Sequence, residues 1–274
     1  MRFVDAHIHL ADNNYSENVI EIIEEAKRLG VLGLVANSMD LETSKRSLKL
    51  AEDYPDHVYA ALGIHPWNTK NLNENEVQDT INLILRNVNN RKRLVAIGEI
   101  GLDSTYSGNE DQMKIQMQVF HEMLSISDQT SLPVIIHSRG STSEIVSILP
   151  SYKINKILLH WYSSPLSLIP KIVDRGYYIT SGPPAVFSAG IKEVIKQIPL
   201  NNLMTETDGP VRFRGPFKGK LTTPSLIPTI VNSIAELKKK EKSEVSEQIF
   251  KNFIDFFGVE GVRDKRHDAW TIQG

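Results

Sequence analysis

The chain has 274 residues, 41% of them hydrophobic, a formal net charge of −2 and no cysteine. That length suits one α/β barrel domain or two smaller domains, with an apolar fraction sufficient for a substantial core. The slightly acidic balance excludes a generic nucleic-acid coat, and the lack of cysteine excludes disulfides, thiolate zinc sites and cysteine nucleophiles, so imidazole and carboxylate must hold any transition metal.

The N-terminus enters an apolar strand at once (Arg2-Phe3-Val4), without the long hydrophobic region of a signal peptide. No stretch approaches the roughly 18–20 apolar residues that span a bilayer, so a cytoplasmic protein is expected. Short apolar runs then alternate with longer amphipathic ones, the pattern of buried parallel strands and covering helices. Strands are predicted over 2–9, 31–37, 57–64, 94–99, 133–137, 156–160, 177–181 and 202–207. Helices are predicted over 16–29, 41–53, 74–89, 111–130, 164–175 and 189–198, and after the last strand over 224–239 and 243–257. Gly30 and Gly176 stand where helices should stop. Eight such units without a Gly/Ser-rich linker favour one (β/α)8 TIM barrel, a single domain over 1–274, above an open doubly wound sheet. The run Lys238-Lys239-Lys240-Glu241-Lys242 reads as solvated surface, and the segment after Gly258 as a tail packed on the barrel exterior.

In a barrel enzyme the chemistry sits at the C-terminal ends of the strands. Here the first strand ends Asp5-Ala6-His7-Ile8-His9, and strand alternation puts Asp5, His7 and His9 on one face. Two imidazoles so spaced can reach one cation. The fourth strand ends in Glu99, the fifth in His137-Ser138-Arg139, the sixth in His160 and the eighth in Glu206-Thr207-Asp208. Any one of these could be a cap or a satisfied polar group, but together they bring ligand-type side chains to one barrel mouth. His65 closes the third strand and is assigned to substrate contact rather than metal, with Pro66 and Trp67 holding its loop. His57, His121 and His267 fall on a strand start, a helix and the tail, where packing or surface roles are expected.

The ordered set Asp5-x-His7-x-His9-Leu10, Gly63-Ile64-His65-Pro66, Gly98-Glu99-Ile100-Gly101-Leu102-Asp103, Pro133-Val134-Ile135-Ile136-His137-Ser138-Arg139, His160 and Glu206-Thr207-Asp208-Gly209-Pro210 resembles the TatD-type metal-dependent deoxyribonucleases of the amidohydrolase superfamily. Pro224, Pro228, Ala235-Glu236 and Asn252 carry the similarity over nearly the whole chain. Two stretches depart from the family's usual pattern. His160-Trp161-Tyr162-Ser163-Ser164 replaces a His followed by a small residue, Phe and Ser-Gly, and Ser104-Thr105-Tyr106 replaces paired aromatics after Asp103. The first alters the pocket wall; neither removes a ligand. Glu99 also stands where many two-metal relatives use a carbamylated lysine, which counts against a phosphotriesterase-like or lactonase-like reading.

The resemblance implies that His7, His9 and Asp208 hold one divalent ion, that His137 and His160 hold a second, and that Glu99 bridges them. Mg, Mn and Zn all suit such ligands. Asp208 is then either the base for the attacking water or only a ligand, and Asp5 and Glu206 are candidates to orient the ligands or to fill the layer beneath. Arg139, two residues beyond His137, faces the same side if the strand continues and is the first candidate for a phosphate contact. The loop Arg212-Phe213-Arg214-Gly215-Pro216-Phe217-Lys218-Gly219-Lys220 offers four cations and two phenylalanines to a single-stranded DNA end, unless its rings are packed away. The implied activity is hydrolysis of DNA ends or single strands by a monomer. The competing functions are hydrolysis of a small amide or ester on the same metals, and a metal-holding interaction protein.

Overall fold

The computed structural model describes residues 1–73, 75–259 and 262. The expected tail and His267 therefore lie outside the described residues, apart from Val259 and Val262, which are buried.

Eight strands form one sheet: β1 (Phe3–Ile8), β2 (Val31–Asn37), β3 (Val58–Leu62), β4 (Leu94–Gly101), β5 (Val134–His137), β6 (Ile157–Leu159), β7 (Tyr178–Ser181) and β8 (Leu203–Thr205). They stand in sequence order, each parallel to the next. The seam between β8 and β1 is closed by the Asp208 N–H donating to the His7 carbonyl (2.9 Å) and the His9 N–H to that of Gly209 (2.8 Å). Every strand residue except Tyr178 is buried, as a parallel sheet covered on both faces requires.

The helices α1 (Val19–Arg28), α2 (Leu41–Asp53), α3 (Glu76–Asn87), α4 (Glu110–Thr130), α5 (Thr142–Ile148), α6 (Ile169–Asp174) and α7 (Ala189–Gln197) fill the crossovers, and α8 (Ile227–Lys238) and α9 (Lys242–Phe257) follow β8. Asp40 and Thr43 form a reciprocal capping box at the start of α2. The α9 helix packs on β1 and β8. Its Phe253 ring approaches β2 at Gly33, where an added Cβ would stand 2.9 Å from the ring. No described helix is long and apolar enough to cross a membrane.

Two differences from the sequence expectation concern the site. Strands β1, β6 and β8 are shorter at the mouth than predicted, so His9, His160 and Asp208 lie just beyond them, whereas β4 runs on to Gly101, past Glu99. Between β5 and β6 stands α5, seven residues long, which the periodicity does not reveal because Ser and Thr fill its first turn.

Candidate metal centre

Local irregularities aim the ligand-type side chains. Along β1, Asp5 pairs with Leu34 and Ile8 with Ala36, so three steps on β1 oppose two on β2. The same mismatch recurs in β4, where Ile97 pairs with Val134 and Ile100 with Ile136. Each extra residue is a bulge that turns the strand. His7 falls within one and Glu99 within the other. Gly101 is forced by the second: at φ 145°, an added Cβ would lie 2.0 Å from the His137 carbonyl oxygen. Asp208 is left-handed (φ 52°), as is Trp161 beside His160 (φ 40°), where non-glycine residues are strained by about 1–3 kcal/mol.

Four side chains from β1, β4 and the end of β8 meet. His7 Nε2 and His9 Nε2 are 3.3 Å apart. Each lies 3.2 Å from Glu99 Oε2. Asp208 Oδ1 is 3.3 Å from the first and 3.4 Å from the second. A second group forms around the other Glu99 oxygen. Oε1 lies 2.9 Å from His137 Nδ1, 2.7 Å from His160 Nε2 and 3.2 Å from His65 Nε2. His137 Nδ1 is in turn 3.2 Å from His160 Nε2 and 3.3 Å from His65 Nε2.

These separations suit cations. Nitrogen and oxygen ligands about 2.0–2.1 Å from a tetrahedral zinc stand about 3.3–3.4 Å from one another. Glu99 Oε2 is buried without a hydrogen-bond partner among the described residues, a costly state unless another group satisfies the site. The electrostatics agree in direction. Burial alone would push the Glu99 carboxyl up, but the charge of His160 and His7 and the hydrogen bond with His137 hold it well below the usual carboxylate range. Burial opposes charge on His9 and His160, yet Asp208 and Glu99 lift His9 to about 10, and Glu99 with Glu206 lifts His160 well above 6.5. The carboxylates thus draw positive charge into a buried space. Within the centre, His65 differs: desolvation dominates and lowers it to about 4, a neutral imidazole.

Most of these histidines are held from behind. His9 Nδ1 is 3.2 Å from the Asn37 carbonyl oxygen and His137 Nε2 is 2.9 Å from Asp103 Oδ2, while Glu206 Oε2 lies 3.4 Å from His160 Nδ1, an ion-pair distance without hydrogen-bond geometry. Glu206 is fixed in turn by the Thr180 hydroxyl (2.6 Å) and the Trp161 backbone N–H (3.0 Å). Asp5 does not touch a ligand-type ring. It accepts the Thr207 N–H (3.0 Å) and hydroxyl across the β8–β1 seam, and burial pushes its carboxyl up to about 8.

The residues expected to meet substrate behave differently. His65 Nε2 stands beside the second group, 3.2 Å from Glu99 Oε1 and 3.3 Å from His137 Nδ1, while its Nδ1 accepts the Trp67 N–H (3.1 Å). Arg139 does not continue the strand. It lies exposed in the turn after β5. In the loop after Asp208, Arg212, Arg214, Lys218 and Lys220 lie at the surface, whereas Phe213 and Phe217 are buried. Phe213 packs on Trp161 (centroids 5.2 Å apart) and Phe217 on Phe187 (6.2 Å), so the rings anchor the loop and are not free to stack bases. His57 and His121 stand apart, His57 against the Leu32 carbonyl and His121 against the Tyr152 hydroxyl. Asp103 and Trp67 are the functional candidates that the sequence did not single out. The signal available was a carboxylate four residues beyond Glu99.

A barrel mouth lined with buried imidazoles and carboxylates is the architecture of a metal-dependent hydrolase. The chain belongs to the TatD related DNase family, whose model matches residues 4–258. It is 32% identical over 257 residues to the uncharacterized metal-dependent hydrolase MJ1582 of Methanocaldococcus jannaschii, covering 94% of this chain and 97% of that one. It is 30% identical to the human deoxyribonuclease TATDN3, covering 93% and 94%. Among solved structures, the TatD homologue YjjV of Escherichia coli superposes with a TM-score of 0.85 at 27% identity, covering 94% and 98%. A dihydroorotase from Campylobacter jejuni shares the fold at TM-score 0.57 and 12% identity, covering 94% and 84%.

Proposed function

We propose that the chain hydrolyses phosphodiester bonds at DNA ends, using two divalent ions (Mg, Mn or Zn) held by His7, His9 and Asp208 on one side and His137 and His160 on the other. Glu99 would offer one oxygen to each set, and His65, whose Nδ1 accepts the Trp67 N–H and whose proton therefore sits on Nε2, would stand beside the second set as a donor to substrate. The observation that carries this reading is the division of Glu99: Oε2 faces His7 and His9, while Oε1 faces His137 and His160. The name of the human relative, deoxyribonuclease TATDN3, and the four surface cations beyond Asp208 favour a phosphate-bearing substrate.

Two such ions supply Lewis-acid polarisation of the phosphoryl group and make water acidic enough to attack near neutral pH. The chain's own residues do the rest. Asp208 is 4% exposed, against 0% for Glu99 and Asp103 and 1% for Glu206, so it is the carboxylate of the centre that an incoming water can meet. It takes the proton as the water oxygen bonds to phosphorus and the ester oxygen leaves. Arg139, Arg212, Arg214 and Lys218 neutralise phosphates at the rim. We place the protein in the cytoplasm as a monomer.

The test is a screen of the metal-supplemented protein against single- and double-stranded DNA, RNA, a phosphodiester dye and N-acyl amino acids. Cleavage of DNA ends with no turnover of the amides supports the reading. Turnover of the amides alone would make the chain an amide hydrolase on the same ions.

A further inference from the structure

We propose that Asp103, buried behind His137, is a positioning residue that makes this one histidine present Nδ1, rather than Nε2, to the second ion. The inference rests on the metal-centre reading above. His7, His9, His65 and His160 all turn Nε2 toward the Glu99 oxygens, whereas His137 turns Nδ1. An imidazole ligand binds through an unprotonated nitrogen, so whichever group holds the other nitrogen's proton selects the ligating atom. For His137 that group is Asp103, whose Oδ2 accepts from Nε2 at 2.9 Å.

Asp103 is itself fixed on every side. Its Oδ2 also accepts the Trp67 indole N–H (2.7 Å). Its Oδ1 accepts the Thr105 N–H (3.0 Å), the Thr105 hydroxyl (2.6 Å) and the Tyr106 N–H (3.1 Å). Its own N–H donates to Gln116 Oε1 on α4 (2.8 Å). Five donors on one buried carboxylate hold it charged and unable to rotate. The two oxygens divide the work: Oδ1 folds the turn after β4, and Oδ2 joins Trp67 of the β3 loop to His137 of β5. With no exposure of its own, Asp103 acts through His137.

This division makes Asp103→Asn an informative change. The asparagine oxygen still accepts the Thr105 and Tyr106 N–H groups, while its amide nitrogen replaces the oxygen that His137 and Trp67 share. A donor facing His137 Nε2 moves the ring proton to Nδ1, where it blocks ligation. Removing such a partner typically lowers metal affinity by about 10–100-fold.

The experiment uses the full chain loaded with Zn²⁺ and two readouts independent of turnover. Long-range ¹H–¹⁵N NMR of the zinc-loaded protein reports which nitrogen of each histidine is ligated. Competition with a chromophoric chelator reports the affinity of each ion. We expect His137 alone to be ligated through Nδ1 and protonated at Nε2. In Asp103→Asn the second ion should weaken about 10–100-fold with the first within about twofold. Thr105→Ala, which removes one donor to Oδ1 but leaves the bond from Oδ2 to His137, should weaken the second ion much less than Asp103→Asn does. Ligation of His137 through Nε2 in the unmutated protein overturns the proposal without any variant having to fold. So does second-ion binding in Asp103→Asn equal to that of the unmutated chain, or an equal loss in Thr105→Ala. Failure of the unmutated chain to bind any ion would instead overturn the metal-centre reading itself.

Discussion

Asp5 accepts both the backbone N–H and the hydroxyl of Thr207 across the seam where the last strand meets the first. His7 and Asp208 follow these two residues toward the mouth, so the closure of the barrel and the spacing of the first ion site share one side chain. Asp5→Ala leaves two buried donors of Thr207 unsatisfied, at about 1–3 kcal/mol each. The expected loss in urea denaturation is therefore several kcal/mol, about 2–6 by that count. Asp5→Asn keeps an acceptor for the N–H and should lose less than half as much. Equal stability of all three proteins would show that the seam is held by the backbone bonds alone.

The barrel and most of its centre are legible in the chain because they rest on periodicity and on residue type. Glu99, His137 and His160 each end an apolar run, His7 and Asp208 fall at the ends of the first and eighth strand patterns, and the fold brings those ends together. What the chain does not show is atomic aim. The bulges in β1 and β4 depend on pairing register, which no single strand specifies. His65 reads as a substrate contact at the end of the third strand, and only the fold sets its ring beside that of His137. Phe213 reads as available for stacking because its partner, Trp161, is distant in the chain. Asp103 escapes for the same reason: its contacts come from the loop after β3 and the end of β5 as well as from its own turn.

Glu99→Gln tests the bridge. The amide retains one acceptor oxygen but offers a donor to the other group of imidazoles, so it cannot serve two ions. Metal analysis after reloading with Mn²⁺ or Zn²⁺ should fall from two ions per chain to one or fewer. Ions bound only to the folded chain add stability as RT ln(1 + [L]/Kd), so the melting temperature of the unmutated protein should rise with added metal more than that of the variant. Two ions in Glu99→Gln would remove the bridging role.

Asp208→Asn separates base from ligand. It keeps size and an acceptor oxygen but removes the proton-accepting charge from the most accessible carboxylate of the centre. If Asp208 takes the water proton, kcat on a phosphodiester dye should fall by at least about 10²-fold, the lower scale of general-base effects. The ion-free protein should itself lose stability, since Asp208 pairs with buried His7 and His9, so kcat is compared where denaturation curves show both proteins folded. Near-normal kcat with both ions bound would mean that the ions activate water without it.

His57 offers a pH signature remote from the centre. Burial, with Lys27 nearby, lowers it from 6.5 to about 4 in the folded chain. Between those values the unfolded chain takes up a proton that the folded chain refuses. Its contribution is therefore complete above pH 6.5, is lost as pH falls toward 4, and changes no further below that. The slope is at most about 1.4 kcal/mol per pH unit. His57→Asn retains a donor for the Leu32 carbonyl but does not titrate. Urea denaturation should show a shallower fall in stability for the variant between pH 6.5 and 4, and parallel curves above 6.5. Parallel curves throughout would mean that His57 titrates alike in both states.

The loop beyond Asp208 combines an anchored underside with a charged exterior. Phe213 and Phe217 are held against Trp161 and Phe187, while Arg212, Arg214, Lys218 and Lys220 remain at the surface on the catalytic face. The anchoring limits the entropy cost when the cations meet a phosphate backbone, and it assigns the two residue types separate effects. Changing the four cations to Ala should weaken binding of a single-stranded oligonucleotide. It should also reduce the slope of log affinity against log salt by about 0.7 for each phosphate no longer neutralised. Turnover of a small phosphodiester dye should survive, since that substrate needs only the centre. Phe213→Ala should act the other way. It removes the support under Trp161, whose backbone N–H holds Glu206 behind His160, so dye and DNA turnover should fall together with only a small change in salt slope. A drop in dye turnover in the four-cation variant, matching its drop on DNA, would show that the charges maintain the site rather than bind the strand.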